Sequence, residues 1–234
     1  MSRYRWIPAL LLLILFAMRS TACNAQDPTI GVAASVKPNA ESVAGETSQT
    51  LSPGSQLRAN EKVRTGNRGQ ADLVFIDNTN LTVGPTSEVL LDKFVYDPTG
   101  SSGKVVLNAT RGTFRFITGK QDHRVYAVST PYGTLGVRGT VVEMKVVPNI
   151  VRKAHPNDCV TTIKLISGAG ASFTTSTGVH QLTEAGTCGC ITGNGQWKML
   201  DYCPTLFAEA GGSNPTIVTG GGGCNEVTKN QPCQ

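Results

Sequence analysis

The sequence predicts an all-β protein of stacked β-sheets, arranged as a sandwich or a short β-solenoid, with an irregular, disulfide-rich C-terminal tail. Composition and residue pattern predict this class. The 234 residues are 39% hydrophobic and only 16% charged, and they include 26 glycines and 12 prolines. That composition indicates many short elements joined by turns around a sizeable core. Apolar residues alternate at period two, and no long window has the apolar stripe of a helix.

Residues 70–76 show the alternation most clearly. Their side chains divide between two faces, with Ala71, Leu73 and Phe75 on one and Asp72, Val74 and Ile76 on the other. The sequence Asp-Asn-Thr-Asn follows at 77–80, and Asp and Asn form turns because they bond their own backbone and tolerate positive φ. Apolar alternation resumes at 81–83, so the pattern predicts a β-hairpin.

The same pattern predicts further strands that each bury one face, at residues 32–36, 89–91, 105–107, 114–116, 125–128, 142–146 and 160–166. Charged residues between apolar ones, such as Glu143 and Lys145, are expected on the wet faces. The same holds for the acids Asp72, Asp77, Asp92 and Asp97. One helix-like fragment, 204–210, has a proline at its start and Gly211 as its stop.

Residues 36–63 and 165–186 follow a similar pattern. Each begins with a strand and a glycine turn, and each continues into a second glycine turn, at Gly54 in the first copy and at Gly186 in the second. Two copies do not establish a repeat protein. The pattern does predict two hairpins of similar construction.

The first 25 residues are predicted to be a secretory signal peptide. Arg3 and Arg5 form a basic region, and residues 7–18 form an apolar run that is too short, at about 18 Å as a helix, to cross a bilayer core of about 30 Å. Cleavage after Ala25 is one interpretation. Another is a weak lipobox at 20–23 with acylation of Cys23, and a third is an uncleaved anchor. We expect a periplasmic or secreted protein, or an outer-membrane lipoprotein that contacts the membrane only through a lipid on Cys23.

Cysteine usage agrees with export. Besides Cys23 there are six cysteines, all in the last third of the chain: Cys159, Cys188, Cys190, Cys203, Cys224 and Cys233. An even set in an exported chain predicts up to three disulfides, with pairings that the sequence does not specify. Cys188 and Cys190 are expected to bond to different partners. A zinc site of Cys188, Cys190, Cys203 and His180 is the alternative, but paired zinc spacings are missing and oxidation removes thiolates.

Residues 26–195 are predicted to form one all-β domain, and residues 196–234 a tail rich in cysteine and glycine. The formal net charge of +5 falls to +2 once Arg3, Arg5 and Arg19 of the leader are removed. A nearly neutral mature chain does not indicate nucleic acid as a partner.

Several motifs stand in order along residues 31–147. They read Glu-Lys-Val-Arg-Thr-Gly at 61–66, Ala-Asp-Leu-Val-Phe-Ile-Asp-Asn-Thr at 71–79, Arg-Gly at 111–112, Val-Ser-Thr-Pro-Tyr-Gly at 128–133 and Gly-Val-Arg-Gly-Thr at 136–140. In order and spacing they resemble a FecR domain, the periplasmic module named for the ferric-citrate regulator, and the likeness extends loosely to residue 186. Asn78 departs from the glycine common in the family's Asp-Gly-Thr turn, and the six-cysteine tail lies outside the shared pattern.

The resemblance implies an all-β domain outside the cytoplasm. Related regulators relay a signal from an outer-membrane receptor to a cytoplasmic sigma factor, using an N-terminal cytoplasmic domain and a membrane span. Only six residues precede the apolar run here. The expectation for this chain is therefore a stand-alone sensor or adaptor without anti-sigma activity.

Arg138, in the Gly-Val-Arg-Gly-Thr motif, is the candidate interaction residue. Its guanidinium could fork onto a buried carboxylate, bond a backbone carbonyl or face a partner. No catalytic residue, metal ligand or cofactor is predicted. His123, His155 and His180 lie in polar or turn-like sequence, and no nucleophile–base motif is present.

The predicted function is a non-catalytic binding or signalling module of the cell envelope. Its partner would be a protein or an envelope polymer, recognised through strand edges and loops. The alternative is a structural or assembly protein of the cell surface, anchored through Cys23 and stiffened by its disulfides.

Overall fold

The computed structural model describes residues 28–97, 103–122, 126–148 and 157–207, and within them every regular element is a strand. The strands are β1 Thr29–Lys37, β2 Ala40–Ala44, β3 Thr47–Thr50, β4 Gln56–Arg58, β5 Glu61–Thr65, β6 Gln70–Phe75, β7 Asn80–Val83, β8 Glu88–Val95, β9 Lys104–Ile117, β10 Tyr126–Thr130, β11 Gly133–Val137, β12 Thr140–Val146, β13 Cys159–Gly168, β14 Ala171–Thr175, β15 Gly178–Leu182, β16 Cys188–Thr192 and β17 Trp197–Met199. The predicted all-β class is confirmed.

The strands form two stacked sheets that share β9. Sheet A has the order β4-β1-β6-β7-β9-β12-β13-β16-β17. Sheet B has the order β3-β2-β5-β8-β9-β10-β11-β14-β15. Every pairing is antiparallel except the parallel one between β9 and β10. Successive strands either form a hairpin or cross to the other sheet, so the chain winds around one core.

The long strand β9 passes from one sheet to the other. Its first part pairs with β8 in sheet B, and its last part pairs with β7 and β12 in sheet A. The crossing lies at Gly112, whose φ is +106°, a region that L side chains avoid. A Cβ at this position would also clash with the side chain of Ser87. Both the backbone conformation and the close approach of Ser87 therefore require glycine at this position.

The core lies between the two sheets. It is formed by the side chains that the period-two pattern assigns to the buried faces of the strands. In β6, Ala71, Leu73 and Phe75 are buried, and in β9 the side chains of Phe114 and Phe116 are buried. They belong to one contiguous apolar cluster. The hairpin of β6 and β7 is also confirmed, with Asn78 at a φ of +67° in its turn.

Two acids that alternation places on wet faces are buried instead. Asp77 is 1% exposed and Glu143 is 5% exposed. Glu143 Oε1 accepts hydrogen bonds from Arg115 Nε at 3.0 Å and Arg115 Nη2 at 2.6 Å. Asp77 accepts hydrogen bonds from Thr79 and Tyr126. A buried carboxylate is tolerated when hydrogen bonds replace its water, and this is why the alternation fails at both sites.

The two similar segments have the same construction. In β1–β4 the first strand pairs with the fourth and the second with the third, and β13–β16 repeat this arrangement. The glycine turns also match. Gly54 N–H donates to Ala33 O at 2.8 Å, and Gly186 N–H donates to Leu165 O at 2.8 Å. The predicted likeness of the two hairpins is confirmed.

Two disulfides are present in the described residues. They join Cys159 to Cys190 and Cys188 to Cys203, so Cys188 and Cys190 bond to different partners, as predicted. Oxidation also removes the thiolates that the alternative zinc site would need. Cys224 and Cys233, with the third predicted bridge, lie outside the described residues, as do Cys23, the predicted signal peptide, His123 and His155.

The sheets continue beyond residue 195, because β17 pairs with β16. The predicted boundary between domain and tail stays a prediction. Residues 204–207 form no helix, so the prediction of a helix is wrong for these residues. The rest of the predicted fragment lies outside the described residues. Leu206 in this stretch is buried, with 8% of its surface exposed. Burial of Leu206 without a helix outweighs the weak local helix signal.

Candidate functional site

The outer face of sheet B carries an ion-pair network around Glu88. Its carboxylate lies 3.2 Å from Lys62 Nζ, 3.1 Å from Arg64 Nε and 3.7 Å from Arg111 Nη2. Burial raises the pKa of Glu88, but the hydrogen bonds and charges of Lys62 and Arg64 outweigh it and leave the pKa below its ordinary value. Each cation of this network therefore has an ion-pair partner, although three cations share the one carboxylate of Glu88.

The outer face of sheet A has a polar row of different character. Asp72 accepts hydrogen bonds from Ser35 Oγ at 2.9 Å and from Thr82 Oγ1 at 2.7 Å. Along the same row, Arg115 pairs with Glu143 at 2.6 Å. Each acid of this row thus has its own partner within the sheet.

The chain after β17 lies along this face. Residues 200–207 are here called the strap. Leu200 N–H donates to Cys188 O at 3.0 Å, and the Cys188–Cys203 disulfide fixes the strap to β16. At its far end the Phe207 ring lies over the guanidinium of Arg115, with 5.1 Å from Arg115 Cζ to the ring centroid. The strap therefore crosses from β16 to β9 over the polar row.

The disulfide is a major part of what holds the strap. It spans 15 residues in sequence, and closing a loop of that length stabilises a fold by about 3 kcal/mol. Burial of a leucine such as Leu206 contributes about 1.5–3 kcal/mol. The contribution of the covalent link is therefore comparable to that of burying Leu206.

Beside the polar row, one residue from each of five neighbouring strands lines up in register across sheet A: Val32, Val74, Asn80, Ile117 and Val141. On β13, Ser167 pairs with Val141, and a register shift leaves Ile166 as the extra residue next to this pair. Val32 is 40% exposed, and Ile117 and Ile166 are each 37% exposed. Ile76, 49% exposed, extends the row past Val74. We call Val32, Val74, Ile76, Ile117, Val141 and Ile166 the apolar strip; at the usual strand spacing it is about 24 Å long.

Three cations lie close in sequence to strip residues. Lys120 follows Ile117 in the next turn, Arg138 precedes Val141 in the turn between β11 and β12, and Lys164 lies on β13. Lys120 and Arg138 are exposed, and Lys164 is partly exposed. Lys164 lies directly opposite Glu143 of the polar row, whereas no ion pair joins Lys120 or Arg138 to a carboxylate in the described part of the chain. The surroundings of the strip therefore carry uncompensated positive charge.

Arg138 is thus placed at an exposed turn. Its backbone N–H donates to Gly170 O at 3.2 Å. The buried carboxylates of the described residues, Glu61, Asp77 and Glu143, are bonded to Ser42, Tyr126 and Arg115. None of them accepts the two-pronged hydrogen bond that was one alternative for Arg138. A role in recognition stays a prediction.

Asp77 is the centre of a buried network that sequence reasoning missed. Its Oδ2 accepts hydrogen bonds from Tyr126 Oη at 2.8 Å, Thr79 Oγ1 at 2.8 Å and Gln121 Nε2 at 3.2 Å, and Thr79 N–H donates to Oδ1 at 2.9 Å. Burial, together with the neighbouring Asp77, raises the pKa of Tyr126 to about 12. The network joins the β6–β7 turn to β10 and has the geometry of a structural support.

Chemistry-bearing residues form no further cluster in the described ranges. No group of three or more His, Cys, Asp or Glu there could hold a metal ion, and no helix there is long and apolar enough to span a membrane. His180 stacks on Trp197 with ring centroids 4.7 Å apart. The surface feature that stands out is therefore the apolar strip with its cations.

Comparison with known families matches residues 61–169 to the family described as FecR protein. This match starts and ends later than residues 31–147, on which the motif resemblance rests. Two crystal structures of a candidate anti-sigma factor from Parabacteroides distasonis, at 1.65 and 2.50 Å resolution, are similar at 12% identity with a TM-score of 0.46. The similarity covers 60% of this chain and 59% of the length of that protein. The comparison with curated proteins gave no match.

Proposed function

Because residues 61–169 match the family described as FecR protein, we propose that this protein is a regulatory module of the cell envelope that acts by binding a protein partner. The observation that carries the proposal is the apolar strip, which leaves a row of aliphatic side chains exposed on a domain of a regulatory family. Exposed apolar rows on a sheet are unfavourable in water, and larger ones mark interaction sites. The envelope location rests on the signal-peptide pattern of the leader.

A binding role also fits the chemistry of the described side chains. Asp77, Glu88 and Glu143 are each engaged by hydrogen bonds or ion pairs that stabilise the fold. A general acid or base needs instead a group free to reach a substrate. The arrangement therefore supports recognition over catalysis.

The test is chemical crosslinking of intact producing cells, with mass-spectrometric identification of what is joined to this chain. The proposal expects one protein to be crosslinked reproducibly. The crosslinked product should be missing from cells that do not produce this protein. It fails if no partner is recovered and the purified protein turns over a substrate.

A second candidate is a structural or assembly protein, favoured by sheet edges that have no further strand partner among the described residues. All four residues of the edge strand β3 are exposed, and unpaired edge groups are a template for further pairing. Sedimentation of purified protein over a concentration range tests this function. Growth into large assemblies would support it, and a constant monomer mass would contradict it.

A further inference from the structure

We propose that the apolar strip is the partner-binding surface and that it takes a protein segment whose apolar side chains are flanked by Asp or Glu. This inference rests on the proposed function and specifies its site. The register of sheet A and the charges near the strip support it.

Strand register aligns the apolar residues of the strip in two groups. Val32 pairs with Val74, Ile117 pairs with Val141, and the polar Asn80 lies between Val74 and Ile117. Apolar side chains therefore lie along one line across sheet A, which Asn80 interrupts at β7. A line of this kind fits an extended or helical segment that lies across the sheet, and its rows of side chains would be desolvated together on binding.

The charges near the strip indicate which kind of partner segment can bind. The acids of the neighbouring row are already engaged, Asp72 by Ser35 and Thr82 and Glu143 by Arg115. Lys120 and Arg138 have no ion-pair partner within the described residues. Acidic groups on a partner would compensate them, whereas basic groups would be repelled.

The strap limits the surface on one side. Phe207 and the Cys188–Cys203 disulfide hold it over the polar row, which lies beside the strip. The partner is therefore expected to lie on the half of sheet A that the described strap does not cross.

Site-specific photocrosslinking in producing cells tests the surface. A benzophenone amino acid replaces Ile76, the strip residue that is 49% exposed, or Val179, 60% exposed on the edge strand β15 of sheet B. We expect an adduct from position 76, joined to an apolar and acidic segment of another protein, and a much weaker adduct from position 179.

Substitutions then locate the contact. Ile117→Glu and the milder Ile117→Ser should lower the yield of the crosslinked adduct from position 76, and Ile117→Glu should lower it by about tenfold. Val95→Glu, a matched control 40% exposed on sheet B, should leave this yield unchanged.

Substitutions of charge test the cations near the strip. Arg138→Glu should lower the adduct yield several-fold at low salt. Arg68→Glu, at an exposed turn near the opposite end of the strands, should leave it unchanged. Unfolding curves confirm that each variant folds.

The outcomes separate the two proposals. An adduct from position 179 but not from 76, an adduct with a second copy of this chain, or a basic captured segment would overturn the inference and leave the proposed function standing if cell-wide crosslinking still finds a protein partner. Failure of both experiments to find a protein partner would overturn both. Loss of the adduct with Ile117→Glu but not with Val95→Glu is the expected result.

Discussion

The hydroxyl of Tyr126 donates a hydrogen bond of 2.8 Å to Oδ2 of Asp77, 49 positions away in sequence. This bond links the turn of the β6–β7 hairpin in sheet A to the first residue of β10 in sheet B. Both residues are nearly inaccessible to solvent. The pair therefore ties the two sheets together at one end of the strands.

Tyr126→Phe should destabilise the fold by about 1–3 kcal/mol, because the buried carboxylate of Asp77 loses one of its donors. Urea unfolding measures the change. Tyr202→Phe is the control. Tyr202 is 80% exposed, so removing its hydroxyl should not change the free energy of unfolding. Equal stability of the two variants would contradict a structural role for the buried bond.

Stability at alkaline pH should also depend on Tyr126. The fold raises its pKa from 10.0 to about 12, so the folded state retains the proton more strongly than the unfolded chain. This contribution is complete below pH 10.0 and is lost as the pH rises towards about 12. Wild-type stability should fall across that window, and Tyr126→Phe should remove this component of the fall. A Tyr126→Phe curve parallel to the wild-type curve would argue against the raised pKa.

Acid stability should depend on Glu88. Its pKa lies below the ordinary value of 4.5, so its contribution is present above that pH and is lost as the pH falls through the folded pKa. Glu88→Gln should lower stability at neutral pH and flatten the decline below pH 4.5. Glu46→Gln, at an exposed turn, serves as the control. If both variants lose stability below pH 4.5 as steeply as the wild type does, the ion-pair network does not lower the pKa of Glu88.

Gly112→Ala should destabilise the protein by roughly 2 kcal/mol or more. Its φ of +106° is strained for alanine, and the new Cβ would meet Ser87. Gly54→Ala is the control, because Gly54 has a φ of +88° but no neighbouring atom within 4 Å of where a Cβ would stand. The difference between the two unfolding free energies measures the clash, and no difference would show that Ser87 moves aside.

Removing the Cys188–Cys203 disulfide should release the strap and leave the sheets folded. In the Cys188→Ser/Cys203→Ser double variant, hydrogen exchange should rise in residues 200–207 far more than in β6 or β7, because the strap loses its covalent link to β16 whereas β6 and β7 keep their strand pairing. The Cys159→Ser/Cys190→Ser variant is the control, since that bridge joins the paired strands β13 and β16. Unchanged exchange in the strap would show that Phe207 and Leu206 hold it alone.

Period-two alternation predicted most of the fold. It assigned Leu73, Phe75, Phe114 and Phe116 to the core, because a strand that buries one face must repeat every second residue. It failed at Asp77 and Glu143, whose partners Tyr126 and Arg115 are distant in sequence. A local pattern cannot report hydrogen bonds that only the tertiary fold creates.

The candidate site was only half visible in the sequence. Val74 and Ile76 are assigned by alternation to the face opposite the core, and the structure confirms that they lie there. Their alignment with Ile117 and Ile166 depends on the register of four further strands and on the bulge at Val141. Register is set by turn geometry and long-range packing, so the sequence alone does not reveal the strip.

The central claim is that the apolar strip binds a protein partner. Its most direct test is the Kd of the purified chain for the partner identified by crosslinking, compared between wild type, Ile117→Glu and Val95→Glu. We predict a Kd at least about tenfold weaker for Ile117→Glu and a value within about twofold of wild type for Val95→Glu. Equal Kd values for the two variants would contradict the claim.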